Sequence, residues 1–144
     1  MSDEKPKTNG KRNKSAGSNY ERETVKRLKD IGYTGVGTSR NNSRSRDAQK
    51  VDIVNCDESK DGRLPYNIQN KTLSKPAPYA KLLAEMPQDG SEINIIFHKQ
   101  TKKNAAGRFM KVGEYAILKA DDMYNMMQRL LELEDEVKGW SNIM

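Results

Sequence analysis

Ile93 to Phe97 (INIIF) is an apolar run unlike the polar stretches around it, and it constrains the fold more than any other segment. A run of this kind reads as a strand covered on both faces. Such a strand needs layers on either side of its sheet, and the neighbouring segments supply them. Val51-Asp52-Ile53-Val54 and the stretch Leu64 to Leu73 (LPYNIQNKTL) are rich in β-branched residues with period two. They read as antiparallel partners joined by a polar hairpin loop from Asn55 to Arg63. GYTGVGTS, just ahead, is a short glycine-interrupted strand, and RNNSRSRDAQK at 40–50 is a polar, arginine-bearing loop. Arg108 to Val112 and Tyr115 to Lys119 read as a further hairpin.

Helical spacing fills the gaps between strands. Ser18 and Glu21 have the three-residue separation of a capping box, and Tyr20, Val25, Leu28 and Ile31 form an apolar stripe that Gly32 stops. Tyr79, Leu82, Leu83 and Met86 recur at i, i+3, i+4 and i+7 behind Pro76 and Pro78. Asp121 to about Val137 is an acid-capped helix with Met123, Met127, Leu130 and Leu133 expected inward. The order predicts a small α/β domain over 18–138, a mixed β-sheet flanked by helices, with a C-terminal tail at 139–144. Residues 1–17 have only Met1 and Ala16 as hydrophobic side chains, so a disordered basic arm is expected there.

Charge is distributed unevenly. The whole chain carries +6, but residues 1–50 hold 13 Lys+Arg against 6 Asp+Glu, whereas 51–144 hold 13 against 14. A basic segment suits a polyanion, because each neutralised phosphate releases condensed counterions; a solubilising tail is the plainer reading. No apolar run approaches the roughly 18 residues that span a bilayer, and no apolar block follows the charged N-terminus. The expectation is therefore a soluble, cytoplasmic chain without membrane contact. One cysteine excludes an intrachain disulfide framework and one histidine excludes a Cys/His zinc cage. Any chemistry falls to carboxylates, amides and lysines.

Four such residues break the local burial pattern. Glu21 lies on the helical line Glu21–Val25–Leu28, at the end of an apolar stripe, although the capping box alone would explain it. Glu23, with Arg27 four residues on, reads as a solvated ion pair. Asp52 sits inside VDIV, where a charge is costly unless it is paired, binds a metal or faces solvent from an edge strand. Gln69 and Lys71 are two apart in the next strand and so share a face, about 7 Å apart along the chain. An acid, an amide and an ammonium on adjacent strands suit Mg²⁺, which takes oxygen ligands, with a lysine to offset charge developing on a phosphate. His98 reads as a satisfied edge histidine and Cys56 as a small buried side chain. Asp121 and Asp122 read as helix N-terminal charges.

GSNYERE at 17–23, KVDIV at 50–54 and IQNK at 68–71 together resemble the PD-(D/E)xK nuclease superfamily, in particular the archaeal Holliday-junction resolvases and their phage relatives. The resemblance covers about residues 16–73, and beyond them only the outline agrees. It implies a restriction-endonuclease-like core and a Mg²⁺-dependent endonuclease (Mn²⁺ substituting) that hydrolyses branched DNA in recombination, acting as a homodimer. Carried over by motif, Glu21 is the helix carboxylate, Asp52 the principal metal ligand and Lys71 the catalytic lysine. Gln69 stands where the family has Glu or Asp, so the metal set is Glu21, Asp52 and a neutral amide. Arg22 takes the arginine of the E-R-E run, and Arg40 resembles the basic residue ending the first strand. Arg44, Arg46 and Lys50, in a loop longer than the family's, are expected to meet nucleic acid. Rival expectations are a nuclease-fold DNA-binding protein that has lost catalysis, with Gln69 as the mark of that loss, and a virion-associated nucleic-acid-binding protein.

Overall fold

The computed structural model describes residues 8–60, 62–90 and 92–143. Ten elements follow one another: α1 (Thr8–Ile31), β1 (Val36–Thr38), α2 (Ser39–Asn42), α3 (Arg44–Ala48), β2 (Ile53–Asn55), β3 (Tyr66–Leu73), α4 (Tyr79–Glu85), β4 (Ile93–Lys103), β5 (Phe109–Ile117) and α5 (Ala120–Ile143). The five strands form one mixed sheet in the order β1-β2-β3-β4-β5. β1, β2 and β3 pair antiparallel in sequence, β3 and β4 run parallel across the α4 crossover, and β5 returns antiparallel along β4.

The INIIF segment occupies an interior strand, as its composition requires. On one face Leu28, Val36, Ile53, Leu64 and Ile68 form a buried cluster with Val25, Tyr33, Tyr66 and Phe97 packed around it, which seats α1. On the other, Leu83, Met86 and Ile96 are buried with Tyr79, Leu82 and Ile117 alongside, which seats α4. The expected α/β sheet with flanking helices is therefore present. Gly32 ends α1 at φ 137°, a conformation that side chains disfavour, and the Tyr33 N–H reaches back 2.9 Å to the Leu28 carbonyl.

Several expectations are corrected. Residues 8–17 of the expected disordered arm are helical and continuous with α1; residues 1–7 lie outside the described residues. Extending a helix that tertiary packing has already nucleated costs little, so a polar segment can follow it. Ser18 is consequently inside the helix and not its cap. The arginine-bearing stretch 40–50 holds two short helices where a loop was expected; Ser43 Oγ accepts from the Arg46 N–H at 3.3 Å and caps the second. The second hairpin lies between β4 and β5, not inside 108–119. Asn104 forms its turn by accepting from the N–H groups of Ala106 and Arg108, while Gly113 sits mid-strand beside a register shift at Gln100/Thr101.

The C-terminal helix departs most. It runs to Ile143, through the expected tail, and Met123, Met127, Leu130 and Leu133 are exposed instead of inward. α5 packs closely on no other described element. No helix among the described residues is long and apolar enough to cross a membrane.

Candidate functional site

Where β2 and β3 begin to part, the backbone hands over to side chains. Ile53 and Ile68 are register partners. One residue earlier the Asp52 N–H donates to the Ile68 carbonyl at 2.8 Å, and Asp52 Oδ2 accepts from the Asn70 N–H at 2.7 Å. Gln69 lies between these two anchor points, and Lys71 follows on its face. Asn70, on the opposite face, donates through Nδ2 to Thr24 Oγ1 at 2.8 Å, and Thr24 in turn donates to the Tyr20 carbonyl at 2.9 Å. This relay pins α1 to β3 at the turn that carries Glu21.

Glu21 is 3 % exposed. Its Oε1 is paired with Arg40 Nη2 at 3.2 Å, whereas its Oε2 is buried without a hydrogen-bond partner. Burial, then the nearby charge of Asp52, push its carboxyl up to about 7 from the ordinary 4.5, against the pull of Arg40 and with a further push from Asp47. Burial likewise raises Asp52, opposed by the Asn70 hydrogen bond and the positive charge of Lys71. Gln69 is buried, and its Oε1 also has no partner. Glu21, Asp52 and Lys71 thus share one electrostatic neighbourhood, and the strand that carries Lys71 contributes Gln69.

Leaving a polar oxygen buried and unpaired costs about 1–3 kcal/mol. Two such oxygens belong to Glu21, within electrostatic reach of Asp52, and to Gln69, between the two β3 residues that bond Asp52. The donors are hard oxygens, the set Mg²⁺ accepts. No group of three or more His, Cys, Asp or Glu is arranged to hold a metal among the described residues; the set here is two carboxylates and an amide.

The expected nucleic-acid residues divide. Arg40 is half-exposed beside Glu21, at the mouth of the site. Arg44 and Lys50 are exposed, with Lys50 in a left-handed turn at φ 64° that feeds Asp52 into its strand. Arg22 is exposed but bonded to its own helix through the Ser18 carbonyl and Asn19 Oδ1. Arg46 is engaged within the fold: it donates to Asn67 Oδ1 and pairs at 3.2 Å with Glu92, whose side chain is only 6 % exposed and also binds Arg63. Glu23 pairs with Lys99 of β4, on the face that α1 covers, and not with Arg27 as expected. His98 is buried on an interior strand, satisfied by Tyr79 Oη and by the Leu73 carbonyl at 2.9 Å, so it is not an edge residue. Cys56 is exposed, contrary to expectation.

Pattern reading missed two contributors. Asp47 acts electrostatically on both Glu21 and Asp52 and accepts from the buried Ser39 at 3.3 Å. It hides in a stretch without period, where only its sign stands out among arginines. The second is the β4–β5 hairpin, which presents Lys102, Lys103 and Arg108 on exposed positions, with no acid between Lys99 and Lys111. The acidic end of α5 cancels these charges in any sum over 51–144, so only a shorter window would have found them. The four site residues line neither a 410 Å³ cavity beside Arg46, Arg63 and Glu92 nor a 690 Å³ cavity between α1 and β5. No protein family, curated protein or solved structure matches the chain.

Proposed function

We propose that this chain is a Mg²⁺-dependent endonuclease of restriction-endonuclease-like fold that hydrolyses DNA phosphodiesters, with branched four-way DNA as its substrate. The observation that carries the reading is an Asp52 bonded to β3 and within electrostatic reach of Glu21 and Lys71, with Glu21 Oε2 and Gln69 Oε1 among the buried oxygens that have no hydrogen-bond partner. Glu21, Asp52 and Gln69 would hold the ion, which supplies Lewis-acid polarisation of the phosphodiester when bound. The Asn70 N–H fixes one Asp52 oxygen and so orients the carboxylate. The Lys71 ammonium offsets charge that grows on the phosphate oxygens. Arg40, half out in solvent, can meet a neighbouring phosphate, and the basic hairpin extends the reach along a polyanion. An intracellular, DNA-associated setting goes with this chemistry.

A DNA-binding protein without catalysis is the second reading. Gln69 favours it, because a neutral amide weakens the metal set, and so does the pairing of Glu21 with Arg40. The two separate on one assay. End-labelled four-way junction and linear duplex are incubated with the purified chain in EDTA, Mg²⁺ and Mn²⁺. The enzyme reading expects metal-dependent cuts, preferentially in the junction, that both Asp52→Asn and Lys71→Ala reduce by about 100-fold or more. Tight junction binding with no cleavage at any metal concentration overturns it in favour of the binding protein.

A further inference from the structure

β3 stops short of its neighbours. Its pairing with β4 ends at Leu73 and Gln100, whereas β4 and β5 continue together through Thr101 and Lys111, Lys102 and Met110, and Lys103 and Phe109. The continuation is a two-stranded ribbon that leaves the sheet at the register shift between Gln100 and Thr101. Irregularities of that kind bend a strand and re-aim its side chains. Directly paired residues project to the same side, so Lys103 and Phe109 share one side of the ribbon and Lys102 and Met110 the other. The Lys103 ammonium lies 5.3 Å from the centre of the Phe109 ring, and Asn104 Nδ2 reaches Met110 Sδ at 3.3 Å. Even so, Phe109 and Met110 are 54 % and 55 % exposed.

Large side chains on an uncovered ribbon build no core, and the charges around them narrow what they can meet. Lys99 is held by Glu23 and Lys111 by Glu114. Lys102, Lys103 and Arg108 are exposed and form no ion pair among the described residues. A matching partner carries negative charge along a backbone and flat apolar surfaces between the charges. Duplex DNA has the first, but its base faces are taken up in the stack. A single strand has both, because unpaired bases stack on aromatic rings while cations track the phosphates. An ammonium over one face of the Phe109 ring leaves the other face for a base. We propose that the ribbon binds unpaired bases of DNA, with Phe109 as the stacking platform, Met110 as apolar support on the opposite side, and Lys102, Lys103 and Arg108 on the phosphates. The choice of DNA rests on the nuclease reading; the recognition of unpaired bases does not. The ribbon stands apart from Glu21, Asp52, Gln69 and Lys71 in the chain and binds without them.

The test is fluorescence anisotropy of the full chain with labelled oligothymidylate and with a labelled linear duplex of the same length, both in EDTA. Phe109→Ala should weaken oligothymidylate binding about tenfold or more and duplex binding by less than about twofold. The salt dependence should stay that of the wild type, because no cation is lost. The melting temperature should stay as well, since the ring is exposed. Phe109→Trp should keep the strand affinity, whereas Phe109→Leu should lose it, because leucine supplies apolar bulk without a π face. That contrast decides the matter even if Phe109→Ala proves less stable. A wild type that does not bind oligothymidylate overturns the proposal. So does a Phe109→Ala protein that loses strand and duplex affinity equally, or a Phe109→Leu protein that binds the strand as tightly as the wild type. Failure of the nuclease reading shows in cleavage with metal present, whereas every readout of the ribbon is taken without metal, so the two failures are distinguishable.

Discussion

Glu21 is the residue on which the site's pH behaviour turns. Its carboxyl is held at about 7 in the fold and at the ordinary 4.5 once the chain unfolds. Between those values the folded state keeps a proton that the unfolded state has lost, so stability falls as pH rises through the interval. The penalty is absent below about 4.5 and complete above about 7, and amounts to roughly 3 kcal/mol for a group this deeply buried. Glu21→Gln should therefore be more stable than the wild type at pH 8 in EDTA, with the advantage vanishing near pH 5. Urea denaturation at the two pH values measures it; an equal effect at both would show that desolvation of the charge is not what Glu21 carries. Gln69→Glu adds a third buried carboxylate beside the other two. It should lower the melting temperature in EDTA and enlarge the stabilisation by millimolar Mg²⁺ over that of the wild type, because a ligand that binds only the folded state stabilises in proportion to its affinity. A Mg²⁺-induced shift no larger than the wild type's would remove Gln69 from the metal set.

Among the elements, α3 and the β4–β5 hairpin separate two jobs that arginines and lysines can do. Arg46 helps neutralise the nearly buried Glu92, so Arg46→Ala should cost about 1–3 kcal/mol in chemical denaturation even with Arg63 in place. Arg44, exposed on the same short helix, should leave stability unchanged when replaced by Ala and reduce DNA affinity alone. In the hairpin, replacing Lys102, Lys103 and Arg108 by Ala should flatten the dependence of log affinity on log salt by about two to three units, close to one for each phosphate that the hairpin no longer neutralises. An unchanged salt slope in binding titrations would return those cations to a solubility role. Element by element, legibility followed periodicity. The buried strand, the α4 stripe and the Gly32 stop could be read because a period or a special residue marks each. The α2–α3 segment could not, since its order comes from Ser43 and Arg46 bonding across a turn, which leaves no hydrophobic trace. Residues 108–119 misled because a glycine at a mid-strand irregularity looks like a glycine in a turn.

At the scale of the whole molecule, the same distinction explains what of the site was visible. Glu21, Asp52, Gln69 and Lys71 stood out as polar residues at positions where the pattern asks for apolar ones, and they lie on α1, just ahead of β2 and on the central strand β3. Asp47 and Glu92 were not visible, because their weight comes from groups brought to them by folding, Ser39 and the site carboxylates for Asp47, Arg46 and Arg63 for Glu92. α5 misled in the opposite way: its stripe is real, but the stripe alone does not say whether a sheet or another helix covers it. The strand order has a consequence for how the chain is made. Each strand pairs with the one before it in sequence, so the sheet can be laid down edge first, in the order in which the chain leaves the ribosome. Only the parallel β3–β4 step has to wait, for the α4 crossover to be synthesised. Every residue of the candidate site has been synthesised by Lys71, well before α5. The site's carboxylates and the backbone bonds that hold Asp52 can therefore be in place while the C-terminal half of the chain is still being made.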